Sequence, residues 1–175
     1  MGGRGGLQGP LPHQGPLEMH NKLKILLAAA LSVIIVDQAT KAVIAGSLDL
    51  NEVVEVIPGF FNIVYFKNPG AAFGILRDAG ALKTVFLSGV TIVALVVIGA
   101  LIRQSRDAVT TLVLSLVAGG AVGNLVDRVR FGYVVDFLDL YVGAYHWPAF
   151  NVADSAITSG VITLVFLFSF KHPKD

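Results

Sequence analysis

The segment PAFNVADSAITSGVITLVFLFSF, Pro148 to Phe170, decides the fold. It is apolar almost throughout and close to the roughly 20 residues that a hydrocarbon core of about 30 Å demands. It reads as a membrane-spanning helix, interrupted only by Asn151 and Asp154 near its start. A carboxylate inside hydrocarbon costs about 2.5–3.5 kcal/mol at mid-membrane on insertion scales, and less near the edge. An asparagine and an aspartate at this position therefore require a reason.

Composition supports the membrane reading. Of 175 residues, 54% are hydrophobic and 14% charged, with a mean hydropathy of +0.73; a soluble domain carries about 25% charged residues. Three further stretches are long and apolar enough to span, at about 23–45, 85–102 and 108–127. The first resembles a secretory leader, with Lys22 and Lys24 before ILLAAALSVIIV. Asp37-Gln38 follows instead of a small-residue cleavage site, so it reads as a retained span. The net charge of +1 offers nothing to nucleic acid. The absence of cysteine removes disulfides and thiol chemistry. His13, His20, His146 and His172 lack ligand-like spacing, so neither metal nor cofactor is expected. Residues 1–20, rich in Gly and Pro, are expected to be a disordered tail, with Met19 the natural start. Residues 21–175 then form a single four-span domain, with fourth span at about 149–170.

Lys and Arg flanks set the orientation. Lys22 and Lys24, Arg103 and Arg106, and Lys171 and Lys174 all fall on one side of a four-span chain, the cytoplasmic side. Both termini are then inside. Segments 46–84 and 127–148 face outward and hold more acidic than basic residues. Phe60 to Asn68, FFNIVYFKN, favours strand. VVEVIPG before it ends in a turn signal, so a small antiparallel sheet on the membrane surface is expected. KNPGAAFG (67–74) gives a turn and small residues. Ser115, Gly119 and Gly123 lie four apart and predict a face for close helix packing.

At 1.5 Å per residue, Asp154 lies about 24 Å from Phe170, Asp127 about 28 Å from Ala108, and Asp37 about 20 Å from Leu23. Three segments deliver polar groups to one depth on one side, and Asp136 follows Asp127 closely. Some of these groups have local explanations. Asp37 and Lys41 can pair at i, i+4. Asp127 can pair with Arg128 or Arg130. Asn151 suits a helix N-cap. Tyr145 and Trp147 suit an interfacial aromatic belt, and Asp139 a solvated surface. Asp154 and Asp136 have no local cation. Two such carboxyls brought together share one proton, leaving one acid and one base. That pair suits hydrolysis; a proton relay or small transporter, or a membrane scaffold, are the other readings.

VDQATK (36–41), KNPGAAFG (67–74), GGAVGNLVDRVRFGYVVDF (119–137) and PAFNVADSAI (148–157), in this order, resemble lipoprotein signal peptidase, the signal peptidase II family of bacterial membranes. The resemblance covers the chain from about Asn21 onward. It implies an aspartic endopeptidase of mainly α fold, with four transmembrane helices, a small extracytoplasmic β-cradle and a short surface helix. It implies Asp136 and Asp154 as the catalytic pair. Asp37, Asn68, Gly70, Asn124, Asp127, Arg128 and Asn151 would surround the site; Lys41, one helical turn from Asp37, is a further supporting candidate by its spacing. The implied substrate is a prolipoprotein, cut before a diacylglyceryl-modified cysteine in the bacterial inner membrane, the active site facing outward. Membrane lipids are the other partners, and a monomer suffices.

Overall fold

The computed structural model describes residues 17–70 and 80–171. Its elements run α1 (Met19–Ser47), β1 (Val53–Ile57), β2 (Phe61–Asn68), α2 (Gly80–Gln104), α3 (Ala108–Phe131), β3 (Val134–Val142), β4 (Tyr145–His146) and α4 (Val152–Lys171). All four helices are long and apolar enough to cross a membrane. Residues 1–16 of the expected tail lie outside the described residues, as do 71–74 of KNPGAAFG; α1 already begins at Met19.

Helix α3 is the centre of the bundle, packed against α1, α2 and α4. Its small residues are the cause. A Cβ added at Gly119 would sit 2.8 Å from the Ala30 carbonyl oxygen of α1, and one at Gly123 would sit 2.7 Å from Asp37 Oδ2. On another side, a Cβ at Gly120 would strike the Ala153 carbonyl of α4. Backbones approach closely because side chains are missing between them, the usual packing device where lipid removes the hydrophobic drive for helix association. The outward faces carry exposed apolar residues instead, such as Val93 and Val96 on α2 and Val165 and Phe166 on α4. In a membrane these faces meet hydrocarbon.

Asp107 caps α3, its Oδ1 accepting from the Thr110 amide at 2.8 Å. The other end stops at Gly132 (φ +79°), whose amide donates to the Arg128 carbonyl. That left-handed residue suits glycine and turns the chain sharply into β3. The sheet is antiparallel in the order β1-β2-β3-β4. Segment 46–84 supplies only its first two strands. The third comes from 134–142, where the sequence promised no strand, and its β-branched start, Val134-Val135, is buried. Phe66 pairs with Asp136 and Asn68 with Val134 across the β2–β3 ladder. The expected short surface helix has no counterpart among the described residues: segment 127–148 is spent on the end of α3 and two strands.

Candidate active site

Asp136 rides on β3 and is 2% exposed. Its Oδ2 accepts from Asn68 Nδ2 and its Oδ1 from Asn151 Nδ2, each at 2.8 Å. Asn68 is itself held by a turn, its Oδ1 accepting from the Gly70 amide at 2.8 Å. Gly70 adopts φ +87°, and a Cβ there would strike Leu87 of α2, so both backbone and space require glycine. Asp154 sits in the first turn of α4, its Oδ1 accepting from Asn124 Nδ2 at 2.8 Å. Asn151 caps that helix, its Oδ1 accepting from the Asp154 amide at 2.9 Å.

The two asparagines join the two aspartates. Asn151 Nδ2 reaches Asn124 Oδ1 at 3.3 Å, as well as Asp136 Oδ1 and the Val135 carbonyl. The path Asp136–Asn151–Asn124–Asp154 is thus hydrogen-bonded throughout, and neutral amides orient both carboxyls without adding charge. Beneath it lies a buried ion cluster. Lys41 Nζ donates to Asp37 Oδ2 at 2.8 Å, Asp127 Oδ2 at 2.9 Å and Asn124 Oδ1 at 3.1 Å. Its three donors are all used. Asp37 Oδ1 accepts from the Ala153 amide at 2.9 Å, and Asp127 Oδ2 from the Val135 amide at 3.1 Å. Each outer carboxylate therefore holds the residue immediately before one of the inner pair.

One lysine serves two carboxylates in that cluster, so the cluster supplies no full counter-charge to Asp136 and Asp154. Burial, aided by the Asp154 charge, pushes the Asp136 carboxyl up to about 6, against the pull of the Asn68 and Asn151 donors and of Lys41. Arg128, half-buried at the end of α3, lies within the fields of Asp154, Asp136 and Asp127. Among the described residues its guanidinium has no hydrogen-bond or ion-pair partner, which leaves a cation facing the site.

All ten residues singled out from the sequence therefore belong to one neighbourhood. The Asp37–Lys41 pair and the Asn151 cap are present as expected. Two local expectations are corrected. Asp127 pairs with Lys41 rather than with Arg128 or Arg130, because neighbouring residues on a helix point apart, and Arg130 stacks on Phe131 at 5.0 Å instead. Asp139 is not solvated: it is 5% exposed and accepts from Asn62 Nδ2 at 2.8 Å, with His146 Nδ1 at 2.9 Å. The sequence reading passed over Gln38. Its Nε2 donates to Asp127 Oδ1 at 2.8 Å, and to Asp37 Oδ2 and the Gly123 carbonyl at 3.2 Å. An amide inside an apolar span, next to an aspartate, was the available signal.

Comparison with known proteins gives the family. The family model described as "Signal peptidase (SPase) II" matches residues 29–170. A lipoprotein signal peptidase of Syntrophus aciditrophicus is 48% identical over 150 residues, covering 84% of this chain and 93% of that protein. One from Syntrophotalea carbinolica is 51% identical over 142 residues, covering 80% and 88%. A solved bacterial membrane enzyme, determined by the in meso method at 1.9 Å resolution, superposes with a TM-score of 0.74 at 35% identity, covering 88% of this chain and 96% of that one. The transporter reading is not favoured. The chain belongs to the signal peptidase II family of peptidases.

Proposed function

We propose that the protein removes signal peptides from diacylglyceryl-modified prolipoproteins, cutting before the lipid-bearing cysteine, with Asp136 and Asp154 as its catalytic pair. The observation that carries the assignment is the asparagine bridge, which joins two carboxyls from distant elements while Lys41 is committed to Asp37 and Asp127. One carboxyl stays protonated and the other ionised. The ionised member takes a proton from a water lying between them, and that water attacks the scissile carbonyl. The protonated member hydrogen-bonds the developing oxyanion, and a proton then passes to the leaving amine as the C–N bond breaks. The pair titrates jointly, so the acid and base roles belong to the dyad. Arg128 is placed to bind a substrate carbonyl. The remaining polar groups hold geometry.

The basic flanks support a reading with both termini in the cytoplasm and the dyad at the outer face of the inner membrane. A lipid-bearing substrate stays in the bilayer, and a site at the hydrocarbon edge meets it there. The site draws on one chain, which supports a monomer. The test is cleavage of a lipidated prolipoprotein by purified protein, set beside its unlipidated form. The lipidated form alone should yield a product with a new amino-terminal cysteine. Equal cleavage of both forms, or of neither, counts against the reading.

A further inference from the structure

Where α3 runs into β3, cations and aromatic rings form a continuous row on the surface. Arg130 lies over the Phe131 ring, 5.0 Å from its centroid. Phe131 stacks on Tyr133 at 5.8 Å, the planes 25° apart. Lys67 Nζ, reaching across from β2, lies 4.9 Å from the Tyr133 centroid and 6.0 Å from that of Tyr65. Rings hold cations in place without neutralising them. Among the described residues neither Lys67 nor Arg130 forms an ion pair. Both are exposed, and so is the apolar surface between them, with Phe131 48% and Val129 73% exposed.

We propose that this row docks the headgroups of anionic phospholipids, on the side of the membrane where Asp136 and Asp154 lie. Depth is the first argument. At 1.5 Å per residue Arg130 stands about 33 Å from Ala108, the start of α3. The hydrocarbon core spans about 30 Å, and the bilayer with its headgroups about 40–45 Å. The row therefore lies at the level of the phosphates. Charge is the second. Two cations without counter-charges call for anions, and a guanidinium presents a planar fork of donors that matches phosphate oxygens. The exposed apolar surface is the third. An amphipathic lipid satisfies both the cations and the apolar groups, whereas an acidic peptide in water satisfies only the cations. The row is separate from the basic flanks at the other end of the bundle, Lys22, Lys24, Arg103 and Arg106. It also has a bearing on the site. Lys67 precedes Asn68, whose amide donates to Asp136 at 2.8 Å. Headgroups held here anchor the sheet beside the dyad at a set height in the bilayer.

The chain has no cysteine, so Val129→Cys supplies a single thiol next to Arg130 for a polarity-sensitive fluorophore. The labelled protein, in neutral maltoside micelles, is titrated with dioleoylphosphatidylglycerol or with dioleoylphosphatidylcholine, which has the same tails but no net charge. At about fivefold for each cation, the phosphatidylglycerol midpoint should lie about tenfold or more below the phosphatidylcholine midpoint. Adding Lys67→Gln and Arg130→Gln should bring the two midpoints within about twofold. Equal midpoints without those two substitutions, or a preference that survives them, overturn the proposal. The label is local, so lipid bound at the opposite end of the bundle does not register. A second measurement needs no variant to fold. Phosphatidylglycerol with a photoreactive diazirine in its headgroup is irradiated with the unsubstituted protein. Adducts should include residues 65–67 and 129–133; adducts confined to the opposite end of the bundle, or none, overturn the proposal. Neither measurement involves cleavage, so the proposed reaction stands or falls separately.

Discussion

Replacing Lys41 by methionine removes the cation that holds the floor of the site. Lys41 is 3% exposed, Asp127 1% and Asp37 0%. Methionine fills most of the same volume, so the main change is electrostatic. Asp37 and Asp127 would face each other without a cation, and Asn124 Oδ1 would lose its 3.1 Å donor. Breaking a buried pair by removing one partner costs about 3–5 kcal/mol. Solvent does not screen groups this deeply buried. For a chain of this size each kcal/mol moves Tm by about 2–4 °C, giving a fall of about 6–20 °C. Thermal unfolding of the detergent-purified variant measures it. The same change loosens the amides of Ala153 and Val135, the neighbours of Asp154 and Asp136, so turnover of the folded fraction should fall as well. A Lys41→Met variant within about 2 °C of the parent, a shift worth about 1 kcal/mol or less, would show that the lysine is not the hub described here.

Three further outcomes are expected. Asp136 ordinarily titrates at 3.8 and is raised to about 6 when folded; its stabilising protonated form is fully present below 3.8 and lost as pH rises through about 6, a loss of about 3 kcal/mol. Melting followed against pH should show the parent losing stability relative to Asp136→Asn across that window, and parallel curves would refute the shift. Asn151→Ala removes a helix cap and the donor to Asp136, and should cost about 1–3 kcal/mol in unfolding free energy while lowering cleavage; unchanged cleavage would count against the asparagine bridge. Gly123→Val drives a side chain into Asp37 and should cost about 1–3 kcal/mol, whereas Gly99→Ala, with nothing within 4 Å of its added Cβ, should be neutral or slightly stabilising; equal effects on Tm would contradict the close packing of α1 on α3.

What the chain revealed before folding, and what it hid, divides by distance along the sequence. The spans were legible because length and apolarity are local. So were β1 and β2, from β-branched residues and the turn at Pro58-Gly59, and the Asp37–Lys41 pair, one helical turn apart. Asn151 announced itself as a cap by type and position. The partner of Asp127 was hidden because its cation comes from another helix while two nearer arginines invite the wrong pairing. The strand carrying Asp136 was hidden because its partner, β2, is remote, and Val134-Val135 alone is too short a signal. Asp139 looked like surface because a charge on a loop usually is. Only the β2–β3 register and the β3–β4 turn bring Asn62 and His146 around it.

The dyad itself is tested most directly by replacing Asp136 and Asp154, one at a time, with asparagine and following cleavage of a lipidated prolipoprotein by gel shift. Asparagine keeps the size of each carboxyl and one oxygen to accept from its amide donors, but cannot exchange a proton. Each variant should remain folded, shown by an intact cooperative melt, and each should lose about 10²–10⁴ of the parent rate, the range general acid–base catalysis contributes. Either variant cleaving at near the parent rate would contradict the account.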